Sequence, residues 1–282
     1  IYILGVAQDA GYPQIGCYEE HCLPGWIDPS LRRGATSIAV INPDSGQKFL
    51  FEATPNLPSQ LYALDIEASN EHFRLAGVFL THAHIGHYAG LMFFGHEAMS
   101  ASNQPVYAMP RMLGFLKNNG PWSQLVEFEN IRLGALQESQ AQSFTGINVT
   151  PFLVPHRDEF SETVGYEIAG PNKTAVFIPD INKWSLWDTD LAELVRSVDY
   201  ALIDATFYDD EELPGRDMSQ IPHPFVSESM NALSELSSEE RAKVWFIHFN
   251  HTNPLLNAES DESRFVRSQG FNVAAEGVRL PL

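Results

Sequence analysis

Alternation between strand-like and helix-like segments is the feature that most constrains the fold of this chain. Helical spacing of apolar residues predicts helices over residues 57–68, 111–119, 191–198, 226–236 and 262–269. Apolar runs rich in β-branched and aromatic residues predict strands over residues 1–8, 37–42, 48–53, 77–82, 105–110, 147–156, 163–170, 174–180, 200–207, 243–249 and 271–280. This alternation predicts a layered α/β protein with two sheets and outer helices. No linker or repeat interrupts it, so we expect one domain over residues 1–282.

Charge and hydropathy limit the kinds of partner and location that this chain can have. The 282 residues carry a net charge of −19, from 36 acidic and 17 basic side chains, without a cluster of Lys or Arg. Such a chain repels phosphate backbones, so nucleic acid is not an expected partner. No apolar run approaches the roughly 18 residues of a membrane span, and we expect a soluble protein that acts on a small molecule. The bacterial cytoplasm and export after signal removal both agree with the sequence, which leaves the oligomeric state open.

Three histidines follow one apolar run directly, in "VFLTHAHIGHYAGLMFF" (residues 78–94). An extended backbone directs alternate side chains to one side, so His82 and His84 can bind one ion. His87 lies beyond the turn and can serve a neighbouring position. Imidazole nitrogen is a usual ligand of zinc and related divalent metals.

Later predicted strands also end in polar residues, namely His156, Asp180, Asp204 and His248. Taken singly, such residues are more often hydrogen-bonded structural groups or turn formers. A metal, however, requires three or four ligands from separate elements, and strand ends are where α/β scaffolds collect reactive groups. The joint occurrence therefore predicts a metal site. Three further histidines lack such a setting and are expected to be ordinary: His21, His72 and His96.

The order of these residues resembles the metallo-β-lactamase superfamily, whose signature is H-x-H-x-D-H with a later His, Asp and His. Within it, the chain is most similar to the pyrroloquinoline-quinone biosynthesis B proteins, nearly end to end, in stretches such as "ILGVAQDAGYPQIGC", "FIHFNHTNPLL" and "GFNVAAEGVRL". It is more distantly similar to phosphonate-pathway phosphodiesterases and to ribonuclease Z. The resemblance implies a four-layer αββα sandwich with metals at one edge of the two sheets.

The resemblance also implies ligands for two metals. It assigns three histidines to the first metal, two to the second and one bridging, catalytic aspartate: His82, His84 and His156; His87 and His248; Asp180. The aspartate that completes the second site in the superfamily falls at Gly86. The second site therefore lacks an anionic ligand unless another carboxylate, such as Asp204 or Asp158, approaches. The biosynthesis B proteins depart from the signature at its first two histidines instead.

Hydrolysis is the leading function that the resemblance implies. A hydroxide bound to one or two zinc ions, with iron or manganese as alternatives, would attack a small ester, phosphodiester or lactone. The alternative is a non-hydrolytic role in quinone-cofactor biosynthesis, either metal-dependent oxidation or carriage of the product, with an impaired second metal site. His223 stands where the phosphodiesterases and ribonuclease Z carry a histidine that donates a proton; otherwise it binds substrate or belongs to an ordinary loop. His251 would hold His248 or lie on the surface.

Two N-terminal segments stay open to several interpretations. In "GCYEEHC", Cys17 and Cys22 can form a disulfide, bind a metal together with His21 or Glu19, or remain free thiols. Related proteins carry a C-x-C-x-x-C zinc knuckle there, whose middle cysteine is Glu19 in this chain. The segment "AQDAGYPQ" (7–14) is either a loop facing the site or a simple turn.

Overall fold

In the computed structural model, which describes residues 1–282, two mixed β-sheets form the centre of the molecule. The first sheet has the spatial order β1 to β6, with the bounds β1 Tyr2–Gly5, β2 Ser37–Asn42, β3 Gln47–Phe51, β4 Arg74–Phe79, β5 Gln104–Ala108 and β6 Ile131–Ala135. The second runs in the order β13 to β7, with β7 Gln142–Phe144, β8 Ile147–Leu153, β9 Val164–Ala169, β10 Thr174–Ile178, β11 Tyr200–Asp204, β12 Val244–Ile247 and β13 Asn272–Val273.

Helices cover both outer faces of the pair of sheets. Their bounds are α1 Leu23–Ile27, α2 Leu57–Glu67, α3 Ile85–Tyr88, α4 Pro110–Asn118, α5 Trp122–Glu127, α6 Leu191–Ser197, α7 Val226–Ala232, α8 Ser238–Arg241 and α9 Asp261–Ser268. Local sequence explains several starts: Ser260 caps α9 by accepting a hydrogen bond from the Ser263 amide. None of the helices has the length and apolar character needed to cross a bilayer.

The hydrophobic core lies between the two sheets and extends under the helices. Along β3, Phe49 and Phe51 belong to the core between the sheets, whereas Leu50 belongs to the cluster beneath α2, α4 and α5, as the alternation of a strand requires. The Phe51 ring lies 5.5 Å from that of Tyr166 and 6.3 Å from that of Phe177, both in the second sheet. The layers are therefore helix, sheet, sheet, helix, which confirms the αββα fold.

The eleven predicted strands all occur: β2 has the predicted bounds, and each of the other ten ends before the predicted last residue. Two further strands, β6 and β7, were not predicted, because β6 contains a glycine and β7 has only three residues. The prediction over residues 271–280 was too long, since only Asn272–Val273 pairs with a neighbouring strand.

Parallel pairing of the strands places the candidate metal ligands at one edge of the second sheet. Strands β10, β11 and β12 are parallel, with Ile178 opposite Ile203 and Asp204 opposite Ile247. Their carboxyl ends therefore lie side by side, and Asp180 and His248 follow those ends. The loop after β4 of the first sheet reaches the same edge.

Candidate metal centre

Four of the predicted ligands converge at this edge. The ligand atoms of His82, His84, His156 and Asp180 all lie within 4.8 Å of one another. The Asp180 Oδ2 atom is 3.2 Å from both His82 Nε2 and His156 Nε2, and 3.8 Å from His84 Nδ1. Ligands at 2.0–2.1 Å from a tetrahedral zinc ion lie about 3.3 Å apart. The spacing of this group therefore fits a zinc ion.

Polar side chains contact the imidazole rings of this group on the side away from Asp180. His82 Nδ1 lies 2.8 Å from the Thr81 hydroxyl, and His156 Nδ1 lies 3.1 Å from the Asn182 side-chain oxygen. Each of these two rings thus turns Nε2 towards Asp180. The His84 ring has the opposite orientation: its Nδ1 faces Asp180, and its Nε2 lies 3.6 Å from Glu159 Oε2. Hydrogen bonds of this kind fix the tautomer and orientation of metal-binding imidazoles.

A second group shares Asp180 with the first. Asp9, His87 and His248 place one ligand atom each within 4.8 Å of the others. Asp9 Oδ1 is 3.3 Å from His87 Nε2 and 3.7 Å from His248 Nε2, and His87 Nε2 is 3.6 Å from Asp180 Oδ2. One oxygen of Asp180 therefore faces both groups, as a carboxylate between two metals would.

Buried polar atoms without a hydrogen-bond partner concentrate in these two groups. They include Asp9 Oδ1, His82 Nε2, His87 Nε2, Asp180 Oδ1 and His248 Nε2. Each unsatisfied buried atom costs about 1–3 kcal/mol, so such a cluster is unfavourable without a ligand. Burial holds the pKa of His82 well below its usual value, which favours the neutral ring that binds metal. The residues therefore fit a divalent metal.

His223 lies beside the two groups, on the side of a cavity of ≈ 520 Å³. Its Nδ1 is 2.8 Å from Asp204 Oδ2 and 3.1 Å from Asp180 Oδ1. Burial alone would lower the pKa of His223, but the charges on Asp204 and Asp180 raise it to about 9. Arg157 and Arg216 line the same cavity.

Two expectations about individual residues need correction. Asp158 does not occupy the space beside Gly86, because it lies near Arg111 on the surface. Asp204 does not fill that space either, and it accepts hydrogen bonds from the amides of Ile181 and Thr206, but its ligand atom lies within 4.8 Å of those of Asp180 and His248. His251 does not hold His248, because its Nδ1 pairs with the side-chain oxygen of Asn250. The Thr206 hydroxyl is instead 3.0 Å from His248 Nδ1.

Asp9 was missed by reasoning from motifs. It lies in the segment over residues 7–14, which faces the site rather than forming an isolated turn. The signal that could have found it was the absence of a side chain at Gly86, combined with an unassigned acidic residue in that loop.

The cysteine segment forms a separate cluster. Cys17 and Cys22 are joined by a disulfide, so the free-thiol interpretation was wrong for this structure. His21 Nε2 is 3.3 Å from Cys17 Sγ, and its ring lies 5.5 Å from that of His251. His21 and His251 place ligand atoms within 4.8 Å of the two sulfurs, but in the disulfide these sulfurs have no thiolate to bind a metal, and the expectation that His21 is ordinary stays a prediction.

Comparison with protein families identifies the fold family. A family model described as the beta-lactamase superfamily domain matches residues 47–249, which include every predicted ligand. The chain belongs to the beta-lactamase superfamily. Among its relatives in this superfamily is the coenzyme PQQ synthesis protein B of Methylobacterium sp. (strain 4-46), 29% identical over 308 residues that cover 99% of each chain. The protein of the same name from Methylorubrum extorquens (strain PA1) is 26% identical, over 100% of this chain and 99% of the relative.

Solved structures superpose on nearly the whole chain. Zn²⁺-bound PqqB from Methylobacterium extorquens has a TM-score of 0.83 and 25% identity, and the match covers 100% of this chain and 99% of that one. A diphosphatase from the PhnP family has a TM-score of 0.68 and 21% identity, over 99% and 95% of the two chains. Human tRNase Z, short form, has a TM-score of 0.60 and 14% identity, over 100% and 99%. The last two likenesses support the fold alone.

Proposed function

We propose that this protein is a metal-dependent hydrolase that acts on a small ester, phosphodiester or lactone. One observation carries the proposal: a single oxygen of Asp180 lies within 3.2–3.8 Å of ring nitrogens from two histidine groups. A divalent metal bound there would activate water and polarise the oxygen under attack. Zinc suits the nitrogen-rich ligand set, and iron or manganese are alternatives.

His223 supplies the proton that a leaving group needs. Asp204 holds its Nδ1 at 2.8 Å, which leaves Nε2 as the nitrogen available to a substrate. Water activated by the metal would release one proton to solvent. As its oxygen forms the new bond to the carbon or phosphorus, the bond to the leaving oxygen breaks. The leaving oxygen takes the proton of His223, and the Asp204 carboxylate stabilises the charged ring beforehand. His223 regains a proton from solvent after the step.

The cavity favours an anionic substrate among the three classes. Arg157 and Arg216 line it in a chain that has only 17 basic residues and a net charge of −19. Guanidinium groups pair with phosphate or carboxylate oxygens through two parallel hydrogen bonds. A small phosphodiester therefore matches this site better than a neutral ester or lactone.

A panel of substrates tests the hydrolase. Chelator-treated protein would be reloaded separately with zinc, manganese and iron(II), and assayed with bis(p-nitrophenyl) phosphate, p-nitrophenyl acetate and a γ-lactone. We expect metal-dependent turnover, fastest with the phosphodiester. Protein that binds metal stoichiometrically yet hydrolyses none of the three would refute the hydrolase.

A role in quinone-cofactor biosynthesis is the second candidate. Its support is the end-to-end similarity to coenzyme PQQ synthesis protein B, at 29% identity. That role would be oxidation of a precursor or binding of the product. Metal analysis of the untreated protein separates the candidates, because bound iron with oxygen consumption favours oxidation, whereas bound zinc favours hydrolysis.

A further inference from the structure

The space next to Gly86 is filled by Asp9. A Cβ atom built on Gly86 would lie 2.5 Å from the Cα, 2.6 Å from the Cβ and 2.7 Å from the Cγ of Asp9. All three distances are under 3.0 Å, a separation that real Cβ atoms essentially never show. The present position of Asp9 and a side chain at residue 86 are therefore mutually exclusive.

Backbone hydrogen bonds hold Asp9 at this place. The Gln8 amide donates to the Phe249 carbonyl at 2.7 Å, and the Phe249 amide donates to the Val6 carbonyl at 2.8 Å. Phe249 directly follows His248, so the N-terminal segment is attached beside one ligand of the second group. Asp9 itself has φ +25°, and Gly11 at φ +79° closes the turn by donating to the Gln8 carbonyl. The turn directs the carboxylate back into the site.

We propose that Asp9 is the anionic ligand of the second metal, and that it replaces the side chain absent at Gly86. This inference rests on the metal centre of the proposed function. Its basis is the pair of distances from Asp9 Oδ1 to His87 Nε2 (3.3 Å) and to His248 Nε2 (3.7 Å), with all three atoms buried and without a hydrogen-bond partner. Together with Asp180, these residues form a complete four-ligand set.

Two consequences follow for the second site. It is not impaired by Gly86, because the carboxylate comes from the loop after β1. The single substitution Gly86→Asp would not restore anything, since the new side chain would meet the backbone of Asp9 at 2.5 Å. The exchange Asp9→Gly with Gly86→Asp, by contrast, would move the carboxylate to the other side of the same space.

Zinc stoichiometry tests the assignment without relying on activity. The full-length protein, freed of metal with a chelator, would be titrated with zinc sulfate by calorimetry, and metal content after gel filtration measured by plasma mass spectrometry. The variants are Asp9→Asn, the isosteric change; the exchange Asp9→Gly/Gly86→Asp; and Asp44→Asn, a matched control at an exposed turn. Anomalous diffraction at the zinc edge would locate the ions.

We expect two zinc ions in the unchanged protein and in the Asp44→Asn control. Asp9→Asn should keep the first ion and weaken the second at least 100-fold, and the exchange should recover two ions. Two ions with unchanged affinity in Asp9→Asn would overturn the assignment while leaving the hydrolase intact. An exchange variant that folds but binds one ion would also overturn it. Unchanged protein that binds no zinc would refute the metal centre itself.

Discussion

Glu52 Oε2 lies 3.6 Å from His87 Nδ1, while Nε2 of the same ring faces Asp9. Glu52 is fully buried, and its other oxygen accepts a hydrogen bond from the Thr81 amide at 3.1 Å. Burial alone would lower the pKa of His87, but the two carboxylates raise it well above its usual value. A carboxylate behind an imidazole orients the ring and increases its strength as a metal ligand.

The substitution Glu52→Gln should therefore weaken binding of the second zinc by about 10–100-fold, because the ring loses its charged partner. The fold should survive, since the amide oxygen can still accept from Thr81. Calorimetric titration with zinc measures the change, with Glu71→Gln at an exposed position as the control. Equal affinity in both variants would show that Glu52 does not act on the metal.

Replacement of His223 separates proton donation from metal binding. His223→Asn should lower kcat by about 10²–10⁴-fold, because no other histidine in that loop can protonate the leaving group. Zinc content should remain that of the unchanged protein. Steady-state kinetics and metal analysis together provide the check, with the exposed His72→Asn as the control. Loss of metal along with activity would instead assign His223 to the ligand set.

Glu212 makes stability depend on pH. Burial is the main cause that raises the pKa of Glu212 from 4.5 to about 7, although hydrogen bonds from Thr252 and the Tyr208 amide oppose it. Between those pH values the folded protein holds a proton that the unfolded chain has lost. The contribution to stability is full below pH 4.5 and is lost as the pH rises through about 7.

The substitution Glu212→Gln should remove this dependence, because the amide does not titrate. Relative to the unchanged protein, the variant should gain stability on going from pH 5 to pH 8. Urea denaturation at the two pH values measures the difference, and the exposed neighbour Glu211→Gln serves as the control. A difference that stays constant with pH would contradict the shifted pKa.

Lys48 offers a test of a buried charge in the first sheet. Its ammonium group donates to Asp65 Oδ1 at 2.6 Å, to the Ala68 carbonyl at 2.7 Å and to Asn70 Oδ1 at 2.8 Å. Asp65→Asn should lower the free energy of unfolding by about 2 kcal/mol, because the buried cation loses its countercharge. Lys48→Met should cost less, since it removes the charge itself. Denaturant unfolding of both variants decides the order, and a reversed order would contradict this explanation.

Much of the site could be predicted from the sequence, because the patterns that indicate its residues are local. His82, His84, His156, Asp180 and His248 each follow a strand whose apolar pattern is clear, and the αββα fold brings the strand ends together. The reversed ring of His84, by contrast, depends on side-chain contacts that no spacing rule encodes.

Asp9 could not be predicted by the same reasoning. Its relation to Gly86 is a steric exclusion between two positions far apart in the chain; the missing side chain at Gly86 and the unassigned acidic residue in the loop are signals only when they are considered together. The N-terminal loop reaches the site only because its backbone pairs with the segment after His248, which is a tertiary contact. Strand β7 was missed for a related reason, because three residues are stabilised by pairing with β8 rather than by their own pattern.

The steric exclusion between residues 9 and 86 also bears on how such proteins diverge. An ancestor with aspartate at position 86 could not gain Asp9 in its present place, and this chain cannot gain an aspartate at position 86, by one substitution at a time without overlap or loss of the carboxylate. Each single substitution between the two arrangements therefore passes through a steric overlap or through a chain without the carboxylate, so residues 9 and 86 form a coupled pair. A lineage with either arrangement would keep it, and a search for the H-x-H-x-D-H motif would wrongly classify the second ligand group of this chain as incomplete.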